Sequence, residues 1–150
     1  KQMLDKLAIC NALGAELAKR EKRIQHAFDD LNSAVSDDSK STAGDKHETG
    51  RAMVHLEQEK LSQQLVKLNQ LKEAFAKINP LESHNSVKFG SLVHSSNGIY
   101  FFSIGLGKIS VENQNIFCLT LTSPLGQKMK NCKVGDQIKM AEEILIESIS

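Results

Sequence analysis

Val54-His-Leu-Glu-Gln-Glu-Lys-Leu-Ser-Gln-Gln-Leu-Val-Lys-Leu-Asn-Gln-Leu-Lys-Glu-Ala-Phe-Ala-Lys-Ile78, closed by Asn79-Pro80, decides the fold. Val54, Leu61, Leu68 and Phe75 recur every seven residues, and Leu71 with Ile78 supplies the companion positions. Glu57, Glu59, Lys60, Gln63, Gln64 and Lys67 occupy the other faces, so the stretch reads as an amphipathic helix with one apolar seam. Asn79-Pro80 ends it, because proline disfavours the helical conformation of the residue before it and has no N–H for the ladder.

Upstream, Leu4 to Val35 has no proline and one glycine, Gly14, with good helix formers at most positions. Leu17, Ile24 and Leu31 repeat every seven, Leu13, Ala27 and Ala34 fill the alternate row, and Arg20 interrupts that row. Two such seams joined by a polar stretch can bury themselves only against one another. An antiparallel coiled-coil hairpin is therefore expected over residues 1–79, with a tip loop at about 36–51. Each arm of about 30 residues reaches roughly 45 Å at 1.5 Å per residue.

Downstream of Pro80 the period changes from seven to two. Val87–Val93 and Ile99–Ile104 read as strands around the turn Ser95-Ser-Asn-Gly98, and Ile116–Thr122 reads as a third. Ser123-Pro124 reads as the cap and first position of a short helix to about Lys130. Val134-Gly-Asp136 makes a turn, and Ile138–Ile149 offers one or two closing strands. A small antiparallel sheet with one short helix is expected over 80–150, which makes the fold class α+β.

Composition narrows the function. Lys plus Arg at 19 against Asp plus Glu at 18 leaves a net charge of +1, so no overall field marks a nucleic-acid binder. No apolar run approaches the roughly 20 residues of a bilayer span, so no membrane role and a cytoplasmic location are expected. Cys10, Cys118 and Cys132 are odd in number and widely spaced, which argues against a disulfide framework and a zinc site. They read as reduced thiols packed as small hydrophobes.

Charge then has to be read locally. Asp45 and Glu48 lie three apart in the polar stretch Ser36–Arg51, where a hairpin would carry two carboxylates out to a partner. The same residues suit any solvated loop, and Asp45 or Thr42 can cap the second helix with Glu48 completing a capping box. His47 beside them is either a titratable ligand or acid/base, or a solvated surface residue. Lys19-Arg-Glu-Lys-Arg23 is either a steering patch toward RNA or an acidic wall, or the wet face of a helix.

Four segments together resemble the Gre family of bacterial transcript-cleavage factors. They are Gly44-Asp45-Lys-His-Glu48 between the helices, then Gly107-Lys-Ile-Ser-Val111, Thr122-Ser-Pro-Leu-Gly126 and Lys133-Val-Gly-Asp136 in the family's order. The resemblance covers essentially the whole chain and implies a coiled coil followed by an FKBP-like domain over 80–150. It departs from the family at the tip, where Thr49, Gly50, Arg51 and Ala52 replace the usual Asn, second Glu and Tyr. It departs also at Glu112-Asn-Gln-Asn115 and at Lys139-Met-Ala-Glu-Glu143, so the chain reads as a divergent branch.

The resemblance implies a monomeric accessory factor, not an enzyme by itself, that binds RNA polymerase and acts only indirectly on the RNA 3′ end. Ser123, Pro124 and Leu125 match the part that docks on the polymerase, and Asp45 and Glu48 match the acids that share Mg²⁺ with it inside the secondary channel. Two carboxylates in a loop bind Mg²⁺ poorly until other oxygens complete six-fold coordination, so no tightly bound cofactor is expected. A channel-blocking inhibitor or pause regulator needs the hairpin but not the acids. A coiled-coil adaptor and an FKBP-like chaperone or isomerase are further alternatives, the last disfavoured by a chain with no Trp, one Tyr and six Phe.

Overall fold

The computed structural model describes residues 4–38 and 44–150, the side chains of 35–38 and 44–49 excepted. Its elements run α1 (Lys6–Asp38), α2 (Gly44–Ala76), β1 (Leu92–Ser95), β2 (Gly98–Phe102), β3 (Gly107–Val111), β4 (Gln114–Leu119), α3 (Pro124–Met129), β5 (Gln137–Lys139) and β6 (Glu143–Ile149). The chain forms two compact units, Ala15–Lys72 on the one hand and Lys1–Gly14 with Glu73–Ser150 on the other. The sheet-bearing unit thus includes the first turns of α1 and the end of α2.

The unit Ala15–Lys72 is the helical hairpin. Both helices have 33 residues and reach into the stretch read from sequence as loop, because helix propagation carries polar residues once its costly nucleus exists. The helices run antiparallel: residues 20–24 of α1 and 64–71 of α2 line one cavity, and the five residues 39–43 that connect the helices span at most roughly 18 Å. A parallel pair in contact at those positions would need a connector as long as a helix. Leu17, Leu61 and Leu68 are buried in the seam, while Ile24, Ala27, Leu31, Val54, Leu65 and Leu71 are half-buried. Ala34, expected in the seam, is exposed. Lys72 Nζ donates to Glu21 Oε2 at 2.5 Å across the pair, on an exposed edge where such contacts add little.

In the other unit, α2 gives way to a turn. Lys77 and Ile78 N–H donate to the Ala74 and Phe75 carbonyls, and Glu82 N–H closes a turn onto Asn79 O with Pro80 at its second position. The sheet order is β3-β4-β2-β1-β6-β5. All pairs are antiparallel except β2 with β4, in the register Ile99↔Ile116 to Phe102↔Leu119. The expected all-antiparallel order misses that pair because β3 folds to the outside. Gly107, Lys108 and Ser110 of β3 suit an exposed edge, whereas Ile116 and Cys118 of β4 are fully buried and take the inner place.

The β3–β4 turn is built by Glu112 (φ 51°) and Asn113 (φ 63°), both left-handed, which matches the twist of a two-residue hairpin. Sequence reading also placed a strand at Val87–Val93. Only Leu92 and Val93 belong to one, since Val87 N–H donates to Cys132 O and Asn131 N–H to Val87 O outside the sheet.

Each face of this sheet buries a layer. On one lie Val93, Tyr100, Phe102, Ile138, Ile144 and Ile146, packed with Val87 and with Met129 of α3. On the other, by strand alternation, lie Leu92, Phe101, Ile116 and Cys118, all at 2 % exposure or less. Ile9 and Leu13 of α1 are also fully buried in this unit, and the Cys10 thiol lies close enough to Cys118 to add to the upward push that burial gives it. A helix face and a helical turn sandwiching six strands is the α+β architecture expected.

Candidate functional site

Asp45 and Glu48 belong by backbone to the first turns of α2, which begins at Gly44. Their side chains, with that of His47, lie outside the described residues, so the tip carboxylates, the shared Mg²⁺ and the role of His47 remain expectations from sequence. Among the described residues no group of three or more His, Cys, Asp or Glu side chains is arranged to hold a metal ion.

The Thr122–Gly126 segment is fully described, and its chemistry is local. Ser123 is the N-cap of α3: its Oγ accepts from Gly126 N–H at 3.0 Å and donates to Thr120 O at 2.7 Å. Pro124 holds the first helical position, where a missing N–H costs nothing, and is exposed. Leu125 is half-buried against the Tyr100–Met129 layer. Gly126 is required by sterics, since a Cβ there would lie 2.2 Å from Thr120 O and 2.7 Å from Leu121 Cα. Of the three residues proposed from sequence to dock, Pro124 alone is exposed; Ser123 caps the helix and Leu125 packs inward.

Lys133–Asp136 is likewise a built turn. Lys133 N–H donates to Asp136 Oδ2 at 2.8 Å, Asp136 N–H to Lys133 O at 3.0 Å, and Gly135 at φ +93° supplies the left-handed corner. Gly135 N–H and Ile146 N–H then tie the turn to β6. Val134 projects from it, 55 % exposed.

One cluster was not legible in the sequence. Lys6, at the start of α1, is 6 % exposed, and its Nζ donates to Glu82 O at 2.7 Å. Burial pushes this amine below the usual lysine range, partly countered by the Glu82 carboxylate. Burial likewise pushes His84 down, helped by the Lys6 charge, and pushes the Cys10 thiol up. A lysine in the first turn of a helix gives no sequence signal of burial; the cluster ties the segment after Pro80 to α1. None of the thiols is activated: burial raises Cys118 to about 12, and Cys132 is raised by burial and by Asp136.

The basic run Lys19–Arg23 divides in the structure. Arg20 Nε pairs with Glu16 Oε1 at 3.3 Å and Glu21 pairs with Lys72, while Lys19, Lys22 and Arg23 are exposed. No helix among the described residues is long and apolar enough to cross a membrane.

Searched against known proteins, the chain matches no family model and no curated protein. Among solved structures it is similar to the crystal structure of the GreA factor homolog 1 (Gfh1) protein of Thermus thermophilus. The alignment covers 94 % of each chain at 14 % identity with a TM-score of 0.35. A superposition that loose assigns neither fold nor activity, and the architecture above rests on the chain's own elements.

Proposed function

We propose that this chain is a Gre-like transcription elongation regulator that binds bacterial RNA polymerase through its sheet-bearing part and inserts the helical hairpin into the secondary channel. The carrying observation is the ordered set Gly-Asp-x-x-Glu at 44–48, Gly-Lys-Ile-Ser-Val at 107–111, Ser-Pro-Leu-Gly at 123–126 and Lys-Val-Gly-Asp at 133–136. The hairpin-then-sheet architecture supports it, because the first segment opens α2 and the other three form β3, the α3 cap and the turn before β5. Pro124 and Val134 are the exposed parts of the last two and are the contacts proposed toward polymerase.

In the cleavage-stimulating form of this reading, Asp45 and Glu48 would offer hard oxygen ligands to an Mg²⁺ whose remaining ligands the polymerase and the RNA phosphate would supply. The ion would supply water activation and charge neutralisation, and Asp45 and Glu48 are the residues of this chain that would hold it. The altered residues 49–52 favour the second form, a hairpin that occupies the channel and slows or pauses elongation without cleavage.

The decisive experiment has two stages. Immobilised chain is first tested for capture of purified RNA polymerase core, with a Pro124→Ala/Val134→Ser variant as control. A stalled, backtracked complex is then given the chain and Mg²⁺. Shortened RNA that disappears with Asp45→Asn and Glu48→Gln supports stimulation; slowed extension without shortening supports channel occupancy. Absence of polymerase capture defeats both forms and leaves the coiled-coil adaptor, which sedimentation would reveal as a dimer sharing its seam.

A further inference from the structure

Arg20 breaks the apolar row of α1, and the structure has a cavity of about 310 Å³ at that place. Arg20, Arg23 and Ile24 of α1 line it with Gln64, Lys67, Leu68 and Leu71 of α2, all within the hairpin unit. Its lining thus combines three cations and an amide with three aliphatic side chains. Arg20 is engaged by Glu16, but Arg23 and Lys67 have no ion-pair partner among the described residues. Two such cations lining one groove beside aliphatic side chains give it a positive potential that favours an anion. Guanidinium supplies a planar fork for carboxylate or phosphate, and the aliphatic residues reward an apolar body.

We propose that this interhelical groove is a binding site for a small amphiphilic organic anion, a carboxylate or phosphate head on a compact apolar body. The head is held by Arg23 and Lys67 with Gln64 beside them, and the body covers half-buried Ile24 and Leu71 next to buried Leu68. A volume near 310 Å³ is at the small end of ligand pockets, which fits a single-ring or short-chain compound. Arg20 lines the groove with its guanidinium paired to Glu16; a leucine in its place would remove that charge and extend the apolar row of Leu13 and Ala27 at the groove. The groove lies on the hairpin that the proposed function places in the channel, but ligand binding to the free chain needs neither the tip acids nor the sheet, so its failure is distinguishable from failure of polymerase capture.

The test uses the full chain with phenyl phosphate and 4-phenylbutyrate as probes, inorganic phosphate as the head alone and benzyl alcohol as the body alone. Methyl NMR shifts at Ile24, Leu68 and Leu71 and the thermal midpoint are read together. Saturable binding of either amphiphile, weakened about ten-fold by Arg23→Gln or Lys67→Gln, is the expected result. Arg20→Leu should abolish the shifts while helicity is kept and the midpoint rises. Which of the two probes binds more tightly identifies the head. Equal binding of inorganic phosphate alone, indifference to both charge variants, tighter competition by a single-stranded oligonucleotide, or no binding by the wild type would each overturn the proposal.

Discussion

Replacing Gly126 by alanine should destabilise the sheet-bearing unit, although the same change inside an ordinary helix stabilises by about 0.5–1 kcal/mol. The new Cβ would lie 2.2 Å from Thr120 O, 2.7 Å from Leu121 Cα and 2.8 Å from Leu121 C, all backbone atoms that cannot rotate away. Relief requires α3 to lift from the 120–121 segment. That segment is held by Ser123 N–H and Ser123 Oγ, which both donate to Thr120 O, and by Ser103 N–H, which donates to Leu119 O. Two such bonds weakened at about 1 kcal/mol each, and about 1–3 kcal/mol of overpacking as Met129 shifts in the core, outweigh the propensity gain and leave a net loss of roughly 2–4 kcal/mol.

The assay follows from composition. The chain has one Tyr and no Trp, and Tyr100 is 6 % exposed in the sheet beside Phe102 and Phe117. Tyrosine fluorescence in a urea titration therefore reports the sheet alone, while far-ultraviolet circular dichroism is dominated by the helices. The Tyr100 midpoint should fall clearly for Gly126→Ala. An unchanged or raised midpoint would refute the steric argument and with it the claim that glycine is fixed here by packing.

Four further outcomes are expected. Glu112→Asn should stabilise the sheet-bearing unit by about 0.5–1 kcal/mol, read as a higher Tyr100 midpoint, since asparagine tolerates the left-handed corner better than glutamate; a lower midpoint in the same titration would contradict it. Leu68→Ala should cost about 2–4 kcal/mol at a seam residue 3 % exposed, read as an earlier loss of helical dichroism. Cys118 is raised by burial from 9.0 to about 12, so the folded state holds its proton longer than the unfolded state. Its stabilisation is complete below pH 9.0 and is lost as pH climbs toward about 12, so the wild type should lose stability faster than Cys118→Ala across that window. With a thiol reagent at neutral pH, half-buried Cys132 should react first and buried Cys10 and Cys118 only on unfolding; equal rates would contradict the burial pattern.

What was legible in the sequence was what periodicity encodes. The seven-residue recurrence returned the seam, with Leu61 and Leu68 buried and Val54 half-buried, and Asn79-Pro80 marked the end of α2 within a few residues. Ser123-Pro124 gave the cap and first position of α3 outright, because a cap is a contact between near neighbours. The β2–β4 parallel pair was not legible, since it depends on which of two adjacent strands takes the inner place. Glu112-Asn113 hid a hairpin turn because glutamate rarely adopts a left-handed φ. Lys6 hid its burial because the Glu82 carbonyl that it meets lies far away in sequence. Of the candidate site, the docking triplet resolved into one exposed proline and two structural neighbours, while the acids at 45 and 48 rest on sequence alone.

The sheet-bearing unit is made from two pieces of chain, Lys1–Gly14 and Glu73–Ser150. Ile9 and Leu13 must therefore stay wet while the whole hairpin and then six strands leave the ribosome. Early closure of the hairpin shortens that wait by bringing the two pieces within reach, so the hairpin acts on its own assembly as an internal tether. Slowing hairpin formation should prolong exposure of these apolar residues and make the nascent chain more dependent on chaperones, even with the finished sheet unchanged.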